Sequence, residues 1–278
     1  MAEKPRDHHR GVVLRTERIS PHMIRVIVGG DGLRDFATTS DFTDHYVKVV
    51  FPHEGVDYPQ PFSVQHVRET MPRELWPRLR TYTVRTWDPD IRELTLDFVY
   101  HGDEGLAGPW AARAMPGDEI LMLGPGGGYA PDPEADWHLL VGDESALPAI
   151  AASLEAMPDG ARAHAFVEVE GPAEEIKVRT YGDVHLTWLY RRGRRVGEAL
   201  VEAVRELDLP GGDVQAFVHG EAGFVKELRR LLRVEAGVPM ARLSISGYWR
   251  LGVDDEGWRA VKRDWNRQVE TEEAVELG

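Results

Sequence analysis

Arg80-Thr81-Tyr82-Thr83-Val84-Arg85-Thr86-Trp87 and Leu94-Thr95-Leu96-Asp97-Phe98-Val99-Tyr100, joined through Asp88-Pro89-Asp90, decide the fold of this chain. In the second run Leu94, Leu96, Phe98 and Tyr100 alternate with Thr95, Asp97 and Val99. A period of two marks a strand with two distinct faces, so the pair reads as a β-hairpin. Upstream, Gly11 to Val28 holds two β-runs, of which Met23-Ile24-Arg25-Val26-Ile27-Val28 is the clearer. Gly29-Gly30-Asp31-Gly32 then turns the chain. His45-Tyr46-Val47-Lys48-Val49-Val50-Phe51 is a strand stopped by Pro52, and Glu119 to Leu123 adds another after Pro116-Gly117-Asp118. Five or six strands with little helix predict a small antiparallel β-barrel.

Gly124-Pro125-Gly126-Gly127-Gly128-Tyr129-Ala130-Pro131-Asp132-Pro133 breaks this rhythm and reads as a linker. Its glycines are no dinucleotide fingerprint, because no helix pattern follows and Pro131 and Pro133 intervene. The expected division is a barrel domain over 11–128, a linker over 129–135 and a second domain over 136–278. Beyond the linker, strand and helix patterns alternate. Trp137–Val141, Ala163–Val169, Val184–Tyr190 and Val214–His219 read as strands. Between and after them, Leu147, Ile150, Leu154 and Met157, then Leu200, Val201, Val204 and Leu207, then Phe224, Val225, Leu228, Leu231 and Leu232 recur at helical spacing. That pattern predicts an open, largely parallel α/β sheet.

A length of 278 residues suits two medium domains or one large one. The formal charge of −14 argues against a general nucleic-acid or anionic-membrane surface. No cysteine is present, which rules out disulfides, thiol catalysis and cysteine-ligated iron–sulfur clusters. An electron-transfer role would therefore need an organic redox group. No apolar run reaches the roughly 18–20 residues of a membrane helix. Met1-Ala2-Glu3-Lys4-Pro5-Arg6-Asp7 lacks a signal-peptide core, so a cytoplasmic location is expected. Residues 1–10, with His8-His9, read as a solvated tail, and the 11 histidines form no cluster at metal-ligand spacing.

Strand geometry puts Arg80, Tyr82 and Val84 on one face. Arg80 and Tyr82 fit a surface arginine beside a cross-strand tyrosine. The same pair would also serve as a guanidinium and ring that grip pyrophosphate and cover a flavin, with the Thr83 hydroxyl reaching its N5 edge if the strand twists, though taken alone the first reading is favoured. His101-Gly102-Asp103-Glu104-Gly105-Leu106-Ala107-Gly108-Pro109-Trp110 weighs toward the second. There a strand ends, Gly105 and Gly108 allow close backbone approach, and Pro109 is placed to open a helix whose amides favour phosphate.

These segments resemble a known family. Asp44–Pro52, Arg80–Arg85, Asp97–Gly102, Gly142-Asp143-Glu144-Ser145-Ala146-Leu147-Pro148-Ala149-Ile150, Gly220-Glu221-Ala222-Gly223 and Tyr248-Trp249-Arg250 look, in order, like the siderophore-interacting proteins. The likeness runs from about residue 11 to 265. Those proteins are FAD-dependent ferric-siderophore reductases of the ferredoxin-reductase superfamily. The resemblance implies that Arg80, Thr81, Tyr82, Thr83, His101, Gly102, Gly105, Ala107, Gly108 and Trp110 bind FAD. One position departs, since the family carries a serine where Gly108 stands, and Gly108 offers phosphate only its N–H.

On the residues alone, Asp143 and Glu144 suit helix capping and repel phosphate. The resemblance implies an NAD(P)H site there, with Ser145 and Ala146 supplying a hydroxyl and amides. Tyr190-Arg191-Arg192-Gly193-Arg194-Arg195 is either a solvated basic loop or, through Arg191 and Arg192, a receptor for the 2′-phosphate of NADPH. NADPH is thus preferred to NADH. Gly220 and Glu221 would lie beside the nicotinamide, with the carboxylate orienting the carboxamide. For an anionic ferric siderophore the candidates are Lys48, Arg250 and Lys262, and alternation predicts Lys48 exposed between Val47 and Val49. Trp258 and Trp265, seven apart on a predicted helix, either shield the flavin or pack the core.

The implied activity is hydride transfer from NAD(P)H to FAD, then one-electron reduction of siderophore-bound Fe(III), with no catalytic side chain beyond the cofactor. The alternatives are a general flavin oxidoreductase and a non-catalytic siderophore-binding protein. A monomer is expected.

Overall fold

The computed structural model describes residues 8–38, 41–207 and 210–277. The readings placed on Met1–Asp7 lie outside them. The chain divides into two compact units, Met1–Gly128 and Tyr129–Gly278.

In the first unit six strands close a barrel: β1 (His9–Ser20), β2 (Met23–Gly29), β3 (Tyr46–Phe51), β4 (Arg78–Asp88), β5 (Glu93–Val99) and β6 (Glu119–Gly126). Their order is β1-β2-β5-β4-β3-β6, and the pairs are antiparallel, as the hairpin pattern predicts. Alternation builds the interior: Val47, Val49, Leu94, Leu96 and Phe98 are buried, while Lys48 faces solvent. The buried Asp97 carboxylate pairs bidentately with Arg25 across β2 and β5, at 2.7 and 2.8 Å.

Two boundaries differ from the sequence reading. His9 opens β1 instead of lying in a solvated tail, because its ring packs edge-on against Phe36 and meets the Gly124 carbonyl at 3.1 Å. Gly124-Pro125-Gly126 completes β6 instead of joining the linker, with Gly126 paired to Tyr46. A short helix, α1 (Val64–Thr70), had no sequence signal. Ser63 caps it, and Val64 and Val67 pack with Val50, Phe62 and Leu79 in a small separate core.

The second unit is a parallel five-stranded sheet of β7 (Trp137–Gly142), β8 (Arg162–Val169), β9 (Asp183–Tyr190), β10 (Val214–Glu221) and β11 (Leu243–Trp249). Its order is β11-β10-β7-β8-β9. Successive strands run outward from β7 to β9, and then the chain returns to place β10 on the other side of β7. The order therefore reverses between β7 and β10. Among the described residues four α-helices accompany the sheet: α3 (Leu147–Glu155), α4 (Glu198–Glu206), α5 (Ala222–Arg230) and α6 (Asp255–Leu277), after α2 (Ala107–Arg113) in the barrel unit. α4 and α5 bury Leu200, Val204, Phe224, Val225 and Leu228 over Leu139, Val141, Ala216 and Val218. β11 escaped sequence recognition because Ser244, Ser246 and Gly247 interrupt its apolar residues.

On α6, Trp258 is buried and stacks edge-on with Trp265, their rings 5.3 Å apart. Its indole N–H donates to the Gly247 carbonyl at 3.3 Å, so these tryptophans pack the core. Among the described residues no helix is long and apolar enough to cross a membrane.

Candidate functional site

Strand register sorts the residues of β4. Arg80 and Tyr82 pair with Val49 and Val47, on the face that also carries the buried Val84. Thr81 pairs with Lys48 on the opposite face, and both are exposed. Thr83 is buried opposite Tyr46, just before a register shift between Val84 and Thr86.

Tyr82 is half-buried, with its ring 4.1 Å from Phe98. Phe98 lies 5.5 Å from Trp110, which in turn lies 6.0 Å from Phe51. The barrel thus brings the two motifs together through Phe98, a core residue to which sequence reasoning gave no role beyond its strand pattern.

Beyond β5 the chain passes exposed His101, then Gly102 and Gly105, both at positive φ. Helix α2 starts at Ala107, two residues before the predicted Pro109. Its N-cap is Leu106, which gives no side-chain cap bond. The Ala107 and Gly108 amides therefore lack the usual side-chain acceptor. A guanidinium, an aromatic ladder and uncapped amides after a glycine turn are the donor set that a flavin dinucleotide requires. These residues fit FAD.

Gly108 has a structural reason. A Cβ there would stand 2.8 Å from the Val99 carbonyl oxygen and 3.4 Å from the Tyr100 Cα. The helix packs directly on the end of β5, leaving no room for a side chain. Gly108→Ser is expected to lower stability by about 1–3 kcal/mol without tightening flavin binding. Denaturant melts and flavin titration check this, and a serine variant of full stability and higher affinity would contradict it.

In the second unit the βα turn after β7 is closed by its own side chain. The Asp143 carboxylate is fully buried and accepts the Ser145 amide at 2.9 Å and its hydroxyl at 2.5 Å. It also accepts the Glu221 amide and the Trp249 indole N–H, each at 2.8 Å. Burial pushes this carboxyl upward, against the pull of those donors. The Ala146 amide is bonded to the Asp143 carbonyl at 3.0 Å.

Arg191 is buried, and its guanidinium meets Glu144, Glu170 at 3.2 Å and Glu168 at 3.9 Å. Arg192 is exposed, has φ of 51°, and lies 5.8 Å over the Tyr190 ring. Gly220 and Glu221 end β10. The Glu221 carboxylate accepts Gly223 N at 2.6 Å, Phe224 N at 3.3 Å and Leu251 N at 3.2 Å, capping α5 and holding the turn after β11.

Arg250 is exposed, whereas Lys262 is half-buried and donates to the Ser246 hydroxyl at 3.0 Å. Burial, then Arg259, lowers the Lys262 ammonium. His219 lies buried, with its Nε2 2.9 Å from the Ser244 hydroxyl. Burial, then Lys262, brings it down to about 3, so it is neutral.

Residues 12–129 match the siderophore-interacting FAD-binding domain, and residues 135–252 match the siderophore-interacting protein domain. The ferric vibriobactin reductase of Vibrio cholerae is 32% identical over 250 residues, covering 88% of this chain and 90% of that protein. The NADPH-dependent ferric-chelate reductase of Escherichia coli is 31% identical over 240 residues, covering 85% of this chain and 91% of that protein. The crystal structure of a siderophore utilization protein from T. fusca superposes with a TM-score of 0.76 at 36% identity, covering 91% of this chain and 96% of that one. With its flavin-fitting barrel and its α/β sheet in that order, the chain belongs to the siderophore-interacting protein family and is a flavin oxidoreductase.

Proposed function

We propose that this protein reduces siderophore-bound Fe(III) with electrons from NADPH carried through FAD, so that iron is released as Fe(II). The observation that carries this reading is the Tyr82–Phe98–Trp110 ladder beside the uncapped start of α2. The relatives named as ferric reductases support it. FAD supplies the conversion of a two-electron donor into single electrons, which Fe(III) requires.

The protein's own residues bind and orient. Arg80 grips the pyrophosphate, Tyr82 covers the ring, Thr81 and Thr83 line the strand, and His101, Gly102 and the Gly105–Trp110 turn hold the phosphates. Lys48, exposed beside Thr81, is the first unit's candidate cation for an anionic ferric chelate, and exposed Arg250 is a candidate on the second unit. Lys262 contributes less, being bonded to Ser246. Iron stays chelated by the siderophore and needs no protein ligand, since reduction itself weakens its hold.

For the donor, Arg192 is the exposed cation suited to a 2′-phosphate, while Arg191 serves as its buried anchor. Ser145, Ala146, Gly220 and Glu221 form the walls of the nicotinamide site, with Asp143 and Glu144 bracing them from below.

The test is anaerobic mixing of flavin-loaded protein with NADPH, then with a panel of ferric siderophores and an Fe(II) trap. NADPH is expected to bleach the flavin, and a cognate siderophore to restore its colour with trapped Fe(II). Colour returning without trapped Fe(II) would overturn the reading.

A further inference from the structure

In open α/β sheets a ligand occupies the crevice at the carboxyl ends of the strands, where the strand order reverses. In this sheet that point lies between β7 and β10. The crevice is filled from within. Asp143, just past the end of β7, reaches the Glu221 amide on β10 and the Trp249 indole N–H on β11, both at 2.8 Å. Since β10 stands between β7 and β11, the indole edge spans the end of β10. Gly220 makes room for this: a Cβ there would stand 2.7 Å from Asp143 Oδ2 and 2.6 Å from Phe224 Cζ. Glu221 pins the far side, through the Leu251 amide of the turn that follows Trp249. The carboxylates at this point thus face protein donors, and the half-buried Trp249 ring, held at its edge by Asp143, is an aromatic surface beside the reversal.

We infer that Trp249 is the platform on which the nicotinamide ring of the donor stacks, and that Asp143 is the positioning residue that fixes its indole. The inference rests on the pyridine-nucleotide reading above. A flat heteroaromatic ring binds best on a flat, rigid partner, and indole offers the largest such face among side chains. A hydrogen bond at Nε1 and an anchored turn behind the ring restrict its rotation, which lowers the ordering cost on binding. Asp143 is thereby a strut. Its charge would repel a phosphate, and its lone pairs already have donors.

Flavin-loaded protein mixed anaerobically with NADPH provides the test. Trp249→Leu is expected to weaken NADPH binding about tenfold, judged by the loss of one ring-on-ring stack. Oxidation of chemically reduced flavin by a ferric siderophore should be unchanged in that variant. Trp249→Phe keeps a ring without the N–H, and should retain most of the affinity that the leucine variant loses. Asp143→Asn, whose single carboxamide oxygen cannot serve both the Ser145 donors and the Glu221 and Trp249 donors, should raise the NADPH KM more than it lowers kcat. A readout free of turnover is the tryptophan emission quenched by NADP+, which should shrink in both Trp249 variants.

Wild-type affinity and wild-type quenching in Trp249→Leu would overturn the platform. If the leucine variant does not fold, equal quenching in wild type and Trp249→Phe would overturn it instead. A wild-type flavin that NADPH does not reduce would sink the donor reading itself, and this inference with it.

Discussion

Arg191→Ala is expected to destabilise the protein by about 3–5 kcal/mol, the loss typical of removing one partner from a buried ion pair. Arg191 is 9% exposed, and its guanidinium sits among Glu144, at 7%, and Glu168, which is fully buried, with Glu170 at the rim. Removing the cation leaves the buried Glu144 carboxylate without its partner, in a medium where an unpaired charge costs several kcal/mol. Arg191→Lys would recover only part of this loss, because an ammonium lacks the planar fork that serves three acids at once. Urea titrations of the variants provide the measurement. Unchanged stability with weakened NADPH binding would instead make Arg191 a direct ligand of the nucleotide.

Glu168→Gln is expected to change the pH dependence of stability. Burial lifts the Glu168 carboxyl from its ordinary value of 4.5 to about 7, and the nearby Asp143 charge adds to the rise. The Gly197 amide at 2.9 Å, at the start of α4, pulls the other way. A carboxyl raised in the folded state stabilises most below its unfolded value and loses that contribution as pH rises through about 7. The wild type should therefore lose about 3 kcal/mol from this group between pH 4.5 and pH 8, and the glutamine variant should not. Denaturant midpoints of the two proteins at both ends of that window should diverge in favour of the variant. A constant difference across the window would refute the assignment.

Both expectations concern residues whose burial no single stretch of the chain reveals. Arg191 and Arg192 look alike in Tyr190-Arg191-Arg192-Gly193, yet one is buried and the other exposed. No local pattern announces that difference, because the acids that surround Arg191 come from other segments: Glu144 follows β7, Glu168 lies near the end of β8 and Glu170 just past it. The same holds for Glu221, whose carboxylate caps α5 three residues on and reaches Leu251 thirty residues on. The first bond is a familiar local motif. The second depends on β10 and β11 lying side by side.

Alternation along β3, β4 and β5 was enough to foresee a barrel and an exposed Lys48, because a pleated strand must turn successive side chains to opposite faces. Apolar runs alternating with helical spacing foretold the parallel sheet in the same way. Those are consequences of backbone geometry, repeated every two or every 3.6 residues, and they can be read from any single stretch. The extra strand β11, the short α1 and the extension of β6 carry too few apolar residues to show such a period. Which cation is buried, which carboxylate is a strut and which ring faces a ligand depend on residues far apart in the chain meeting in space. Charge–charge and hydrogen-bond energies act over a few ångströms of that space, so they became legible only once the strands were laid in order.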